Sequence, residues 1–274
     1  MSESAESVRL EIRGAVAEVV LCRPKKGNAM GSAFWRELPE VVQRADADPA
    51  VRVLLLRSEG DNFSFGLDLV GLGVELGPLL FGENTAAPRT QLRKLIERWQ
   101  QAIDTIALAD KPVVAAVQGW CIGGGVDLVS ACDVRVCSAG AKFSVRETKM
   151  AIVADVGSLQ RLPHIIGHAA TAELALTGGD VDSARAERLG LVSRVYGDDE
   201  ELLAGARELA EQIAGNPPLV VQGVKRVLGQ AIRPQVQAGM DYVAAWNSAF
   251  LQSEDLTEAL GAFAEKRPPT WTGR

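Results

Sequence analysis

The chain has 274 residues, 47% of them hydrophobic, enough to build a substantial core as one large domain or as a domain with an appendage. A net charge of −6 leaves no cationic surplus for a phosphate backbone, and no apolar run approaches the roughly 20 residues that span a bilayer. Neither nucleic acid nor a membrane is an expected partner.

The chain opens with strands. Val8 to Ile12 and Val16 to Cys22 are β-rich and meet at a turn over Arg13-Gly14. Ser32 is placed to cap a helix from Ala33 to Ala45, with Phe34, Leu38, Val41 and Val42 on one face. Val51 to Arg57 has the composition of a buried strand, and Phe63 to Gly66 forms a short extended piece and turn. Gly71 to Arg89 holds four glycines and two prolines among leucines, and is expected to be a long loop acting as a mobile cover. Helical spacing returns from Leu92 to Leu108, and Val113 to Val117 is another apolar strand, leading directly into Gly123-Gly124-Gly125. Alternating strands and helices point to an α/β core. After Asp198 strands disappear. Helical periodicity runs from Glu200 to Ala214, resumes after Asn216-Pro217-Pro218, and ends near Lys266. The expected division is therefore a core over residues 1–197 and a helical region over 198–274 whose apolar surface packs on the core or on another subunit.

Cys22, Cys121, Cys132 and Cys137 form no Cys-x-x-Cys pair, so no metal site is expected and the thiols are read as free and buried. Met1 to Ser7 is polar and acidic, without the apolar stretch of a secretory signal. The terminal Thr272-Gly273-Arg274 matches no peroxisomal or ER-retention tripeptide, so a cytoplasmic location is expected.

The chemistry concentrates at the triple glycine. A glycine turn opening a helix presents bare backbone N–H groups, which can hold a developing oxyanion. It lacks the Lys-Ser/Thr of a P-loop and the Gly-x-Gly-x-x-Gly of a dinucleotide site. Close packing alone is the competing account of the glycines. Asp127 lies one helical turn past Gly124, so the two can face one space. Glu147 and Asp155 flank the apolar stretch Met150 to Ala154. Three carboxyls crowded in an apolar cleft have their titrations pushed apart, which leaves one protonated at neutral pH. Such a set can act as acid and base beside a carbonyl. His164 and His168 are the only histidines, and no nucleophile elbow accompanies them, so a triad hydrolase is poorly supported.

These residues carry a resemblance to the enoyl-CoA hydratase/isomerase (crotonase) family. Cys22-Arg23-Pro24-Lys25-Lys26-Gly27-Asn28-Ala29 resembles its first signature. Phe63-Ser64-Phe65-Gly66-Leu67-Asp68-Leu69 resembles its first oxyanion segment, and Lys111-Pro112-Val113 through Asp133 its second. Ala262 to Arg267 resembles its C-terminal end. Asp127 and the run from Ala154 to Pro163 are most similar to the dienoyl-CoA isomerase branch, because hydratases carry Glu at the first position and Gly where Asp155 stands.

The resemblance implies a spiral of ββα units with a helical C-terminal region that forms trimers or hexamers. It implies an acyl-CoA thioester as substrate, with coenzyme A part of that substrate and no separate cofactor, in fatty-acid β-oxidation. The N–H groups of Leu67 and Gly124 would hold the thioester oxygen. Glu147 would remove a proton from C2, Asp155 would deliver one at C6, and Asp127 would tune both. Ser64, Phe65, Gly66, Asp68 and Gly123 would contribute to the substrate site. Arg23, Lys25 and Lys26 would lie near the CoA phosphates, with Phe263 and Lys266 near the adenine of a neighbouring subunit. Phe65 replaces a small residue and would narrow the pocket. Enoyl-CoA hydration, another CoA-dependent reaction of the same fold, and a non-catalytic binding protein are the competing readings.

Overall fold

In the computed structural model the described residues are 6–83 and 85–274. Residues 1–5 of the polar N-terminal segment and Asn84 of the 71–89 stretch lie outside them.

The chain repeats one motif. Each turn lays a strand in a larger sheet, then an extended piece beside a smaller one, then a helix. β1 (Val8–Arg13) and β2 (Val16–Leu21) form an antiparallel hairpin followed by α1 (Ser32–Ala47). β3 (Val53–Ser58) leads through residues 63–67 to α2 (Gly73–Phe81) and α3 (Ala86–Leu108). β4 (Val113–Val117), β5 (Trp120–Ile122) and α4 (Gly124–Ser130) make the next turn. β6 (Val134–Ser138), β7 (Lys142–Ser144) and α5 (Ser158–Ile166) make the one after. α6 (His168–Thr177), β8 (Asp180–Asp182), α7 (Ser183–Leu189) and β9 (Arg194–Tyr196) close the sheets. The larger sheet runs β1-β2-β3-β4-β6-β9, parallel from β2 onward, and the smaller runs β5-β7-β8.

β3 is apolar without alternation because both faces of the larger sheet are covered. Leu54 and Leu56 face the main core with α1 and α3, while Val53 and Leu55 pack under α8 (Asp199–Ala214) through Leu202, Ala206, Ala210 and Ala214. The Asp198 side chain caps α8 by accepting from Glu201 N at 2.8 Å. The buried Glu18 carboxylate ties this layer down, accepting from Arg207 of α8 at 2.7 Å and from Arg57 of β3 at 2.5 Å. Burial alone would raise Glu18, but those two guanidinium bonds outweigh it and hold the carboxyl below its ordinary value. The first helix after residue 198 therefore packs on the core. The helices beyond it are α9 (Pro218–Gln230), α10 (Arg233–Phe250) and α11 (Glu254–Glu265). Leu219, Val227 and Leu228 on α9 and Tyr242 and Phe250 on α10 stay exposed.

The structure corrects three local expectations. Gly31, not Ser32, occupies the cap position of α1, and the Ser32 hydroxyl instead meets Glu75 at 3.4 Å. α3 begins six residues before Leu92, because its first turns are solvent-facing and carry no apolar period. The 71–89 stretch is mostly helical and does not form a loose cover. Its Leu76 is buried, and Leu79 and Leu80 pack with Leu92, Ile96 and Ile152. Tertiary burial overrides the weak helix propensity of its glycines and proline. Among the described residues no helix is long and apolar enough to cross a membrane.

Candidate active site

Two successive turns of the spiral are stitched together at the site by backbone bonds. Ser64 N donates to Trp120 O at 3.0 Å, and Ile122 N donates to Ser64 O at 2.9 Å. The Ser64 hydroxyl donates to Asn28 O at 2.9 Å and accepts from Gly66 N at 3.1 Å. The next N–H, that of Leu67, and the N–H of Gly124 at the start of α4 donate to no acceptor among the described residues. Gly66 is required by this approach, and Gly124 is closely packed in it. A Cβ on Gly66, at φ +78°, would lie 2.7 Å from Ile122 O and 3.0 Å from Gly124 N. One on Gly124 would lie 2.9 Å from Met30 Sδ and 3.8 Å from Leu67 N. Two unpaired donors thus sit side by side at a helix N-terminus, the arrangement that stabilises an oxyanion.

All three carboxyls named from the sequence line the same cavity, of about 130 Å³. Asp127 projects from the first turn of α4, and its Oδ1 accepts from Ser158 N, the first residue of α5, at 2.5 Å. Glu147 opens a short 3-10 turn, Glu147–Met150, and its Oε2 accepts no hydrogen bond among the described residues. Asp155 Oδ2 accepts from Asn247 Nδ2 of α10 at 2.6 Å. Glu147 and Asp155 keep some surface towards the cavity although protein surrounds them on every side. Part of the lining is aromatic. Trp35 and Trp99 stack at 5.1 Å with an interplanar angle of 20°, beside Phe65 and Leu67.

Burial pushes all three acids upward. Asp127 rises to about 6, restrained by the Ser158 N–H and by the Arg161 guanidinium. Glu147 rises to about 8, and the charge of Asp127 adds to the effect of burial. Asp155 rises to about 7, with the Asn247 bond opposing burial. Asp127 and Glu147 titrate as a pair, so at neutral pH the site holds protons as well as charge.

Raised acids favour the fold only while protonated. Their contribution is intact below the unfolded values near ~4 and is lost as pH rises towards 8. The thermal midpoint of Glu147→Gln should therefore match the parent at pH 4 and exceed it at pH 8, by the equivalent of a few kcal/mol. Parallel melts at the two pH values check this, and an unchanged difference would contradict it.

The other residues read from the sequence are distributed unevenly. Phe65, Gly66, Leu67, Gly123 and Gly124 line the cavity. Ser64 and Asp68 stand behind it. Asp68 accepts from Gly71 N at 2.8 Å and pairs with Arg23 at 3.6 Å, so the Arg23 guanidinium turns inward. Lys25 and Lys26 are exposed on a 3-10 turn beside that pair. Phe263 and Lys266 are exposed at the end of α11 and contribute nothing to the cavity wall. His164 and His168 are exposed and likewise outside it. Cys121, Cys132 and Cys137 are buried free thiols, and Cys22 is half-buried.

Sequence reasoning missed Trp35, Trp99, Gln100, Arg146 and Asn247. Gln100 and Asn247 left a usable signal, each a polar residue on an otherwise apolar stripe, of α3 and of α10.

Comparison with known proteins agrees with this geometry. Residues 11–274 match the family described as enoyl-CoA hydratase/isomerase. A mitochondrial Delta(3,5)-Delta(2,4)-dienoyl-CoA isomerase from Dictyostelium discoideum is 45% identical over 257 residues, 93% of this chain and 86% of that protein. The peroxisomal protein of the same name from Arabidopsis thaliana is 43% identical over 97% of this chain and 96% of its own. A solved enoyl-CoA hydratase/isomerase from Pseudoalteromonas atlantica T6c superposes with a TM-score of 0.83 at 28% identity, covering 97% of this chain and 100% of that one. With the spiral, the paired N–H donors and a match over nearly its whole length, the chain belongs to the enoyl-CoA hydratase/isomerase family.

Proposed function

We propose that the protein is an acyl-CoA isomerase that converts a 3,5-dienoyl-CoA to the 2,4-dienoyl-CoA, as the names of its relatives suggest. One observation carries this reading. Asp155 places a second proton-bearing carboxyl on the same cavity as Glu147, with the two unpaired N–H groups nearby. Glu147 takes a proton from C2, and the electrons pass to the thioester oxygen under the N–H groups of Leu67 and Gly124. They return through the diene as double bonds form at C2 and C4, and C6 takes the proton of Asp155. One proton leaves and one arrives, so charge and atoms balance.

The productive state has Glu147 ionised and Asp155 protonated. Burial holds both carboxyls well above their ordinary values, and the charge of Asp127 raises both further. Near neutral pH the pair can therefore hold a proton as well as a charge. A flat conjugated chain fits beside the stacked Trp35 and Trp99. Lys25 and Lys26, exposed on the 3-10 turn that follows Arg23, are cations that suit the CoA phosphates.

Offering 3,5-dienoyl-CoA and 2-enoyl-CoA in parallel tests the proposal. Absorbance should rise with the first as conjugation extends to the carbonyl. Efficient hydration of the second, with the first untouched, would establish the hydratase instead.

The proposal includes assembly. The exposed apolar residues of α9 and α10 suit burial against further copies, as trimers or hexamers. Light scattering should give three or six times the 29.2 kDa chain mass. A stable monomer at micromolar concentration would contradict it. A cytoplasmic location also remains a proposal, and the organelle names of the two relatives do not support it.

A further inference from the structure

We propose that Asn247 is a positioning residue for the acid of the reaction: by donating to Oδ2 of Asp155, it reserves Oδ1 as the oxygen that carries the proton to the far end of the diene. The inference rests on the function proposed above and deepens it.

An asparagine amide has two N–H donors on one side and one acceptor oxygen on the other. Asn247 Nδ2 reaches two oxygens, Val153 O at 2.8 Å and Asp155 Oδ2 at 2.6 Å. A main-chain carbonyl cannot donate, so Val153 fixes which side of the amide faces Asp155. A proton on Oδ2 would weaken that oxygen as the acceptor of this bond, so neutral Asp155 favours its proton on Oδ1.

The main chain of Asp155 is pinned in the same way. Gln100 Nε2 of α3 donates to Asp155 O at 2.7 Å and to Met240 O at 3.1 Å. Asn247 is itself 2% exposed. An asparagine present only to satisfy the Val153 carbonyl would have no reason to spend its second donor on a side chain that lines the cavity.

The ionisable groups around Asp155 are few. Asp127 comes from α4 and Glu147 from the 3-10 turn, and Arg146 lines the same cavity. α3 and α10 present neutral groups, Gln100, Trp99 and Asn247. Among the described residues Asn247 is the side-chain donor to the Asp155 carboxyl. Its loss removes a bond to the ionised form and raises that carboxyl further.

The test uses the whole enzyme with Asn247→Leu and Asn247→Asp. Two rates are followed, dienoyl-CoA isomerisation across pH and exchange of the C2 proton with deuterium from solvent. For Asn247→Leu, kcat should fall about 10- to 100-fold, the loss expected of a misplaced reacting group. KM and C2 exchange should stay near the parent values, and the alkaline limb of the kcat profile should move up. Asn247→Asp keeps size and polarity but sets an acceptor where the donor was, so the same limb should rise further. Loss of C2 exchange in step with isomerisation, an unmoved alkaline limb, or failure of both variants to fold would each overturn the proposal. A parent enzyme that never isomerises the diene overturns the function and this inference with it. A parent that isomerises while both variants match it overturns only the inference.

Discussion

Replacing Glu147 with Gln is expected to abolish both isomerisation and C2 proton exchange, lowering kcat by more than ~100-fold, the low end for a positioned acid or base. Gln keeps the shape and removes the basic oxygen. Glu147 Oε2 has no donor in the free site, so its ionised form is destabilised and its basicity is raised towards neutral pH. Neither Asp127 nor Asp155 can substitute. Asp127 is held by the Ser158 N–H and Asp155 by Asn247. Far-UV circular dichroism should match the parent, and a folded variant that turns over at the parental rate would remove Glu147 from the mechanism.

Asp155→Asn separates the two halves of the reaction. The proton arrives four carbons from the one that leaves, so a single carboxyl cannot serve both ends. Isomerisation should fall by two orders of magnitude or more, while C2 exchange, which needs only Glu147 and the oxyanion donors, continues. Asn can still accept from Asn247, so the contact with α10 is preserved. The pH dependence sharpens the expectation. Parental activity should decline on the alkaline side as Asp155 loses its proton and on the acid side as Glu147 gains one, both carboxyls being raised by burial. The alkaline limb should be absent from any residual activity of Asp155→Asn. Isomerisation by this variant at the parental rate would transfer the role to another group.

The parts of the fold visible in the sequence were those set by local periodicity. The hairpin at Arg13-Gly14, β3, β4 and the helices after Asp198 all carry their own apolar pattern. α2 does not, because glycine and proline interrupt its apolar run, and packing against α3 keeps it helical. Whether α8 packs on the core or on another subunit was left open, since both kinds of helix share the same periodicity. At the site, the three carboxyls and the glycines were legible because they crowd into residues 123–155. Trp35 sits one place off the apolar stripe of α1, and Trp99 looks like an ordinary core residue of α3. Their stacking depends on how those helices dock. Asn247 reaches Asp155 across 92 positions of sequence, a distance no local pattern records.

The stitching of residues 64–67 to β5 has an evolutionary consequence. The two N–H groups assigned to the thioester are main-chain atoms, and strand register fixes their spacing. A point mutation away from the glycines leaves that spacing alone. The carboxyls at 127, 147 and 155 are side chains, and one codon change replaces any of them. A lineage built on this spiral can therefore exchange its proton carriers while its grip on the acyl thioester stays constant. Divergence among such proteins should run through reaction type more readily than through the kind of ester they hold.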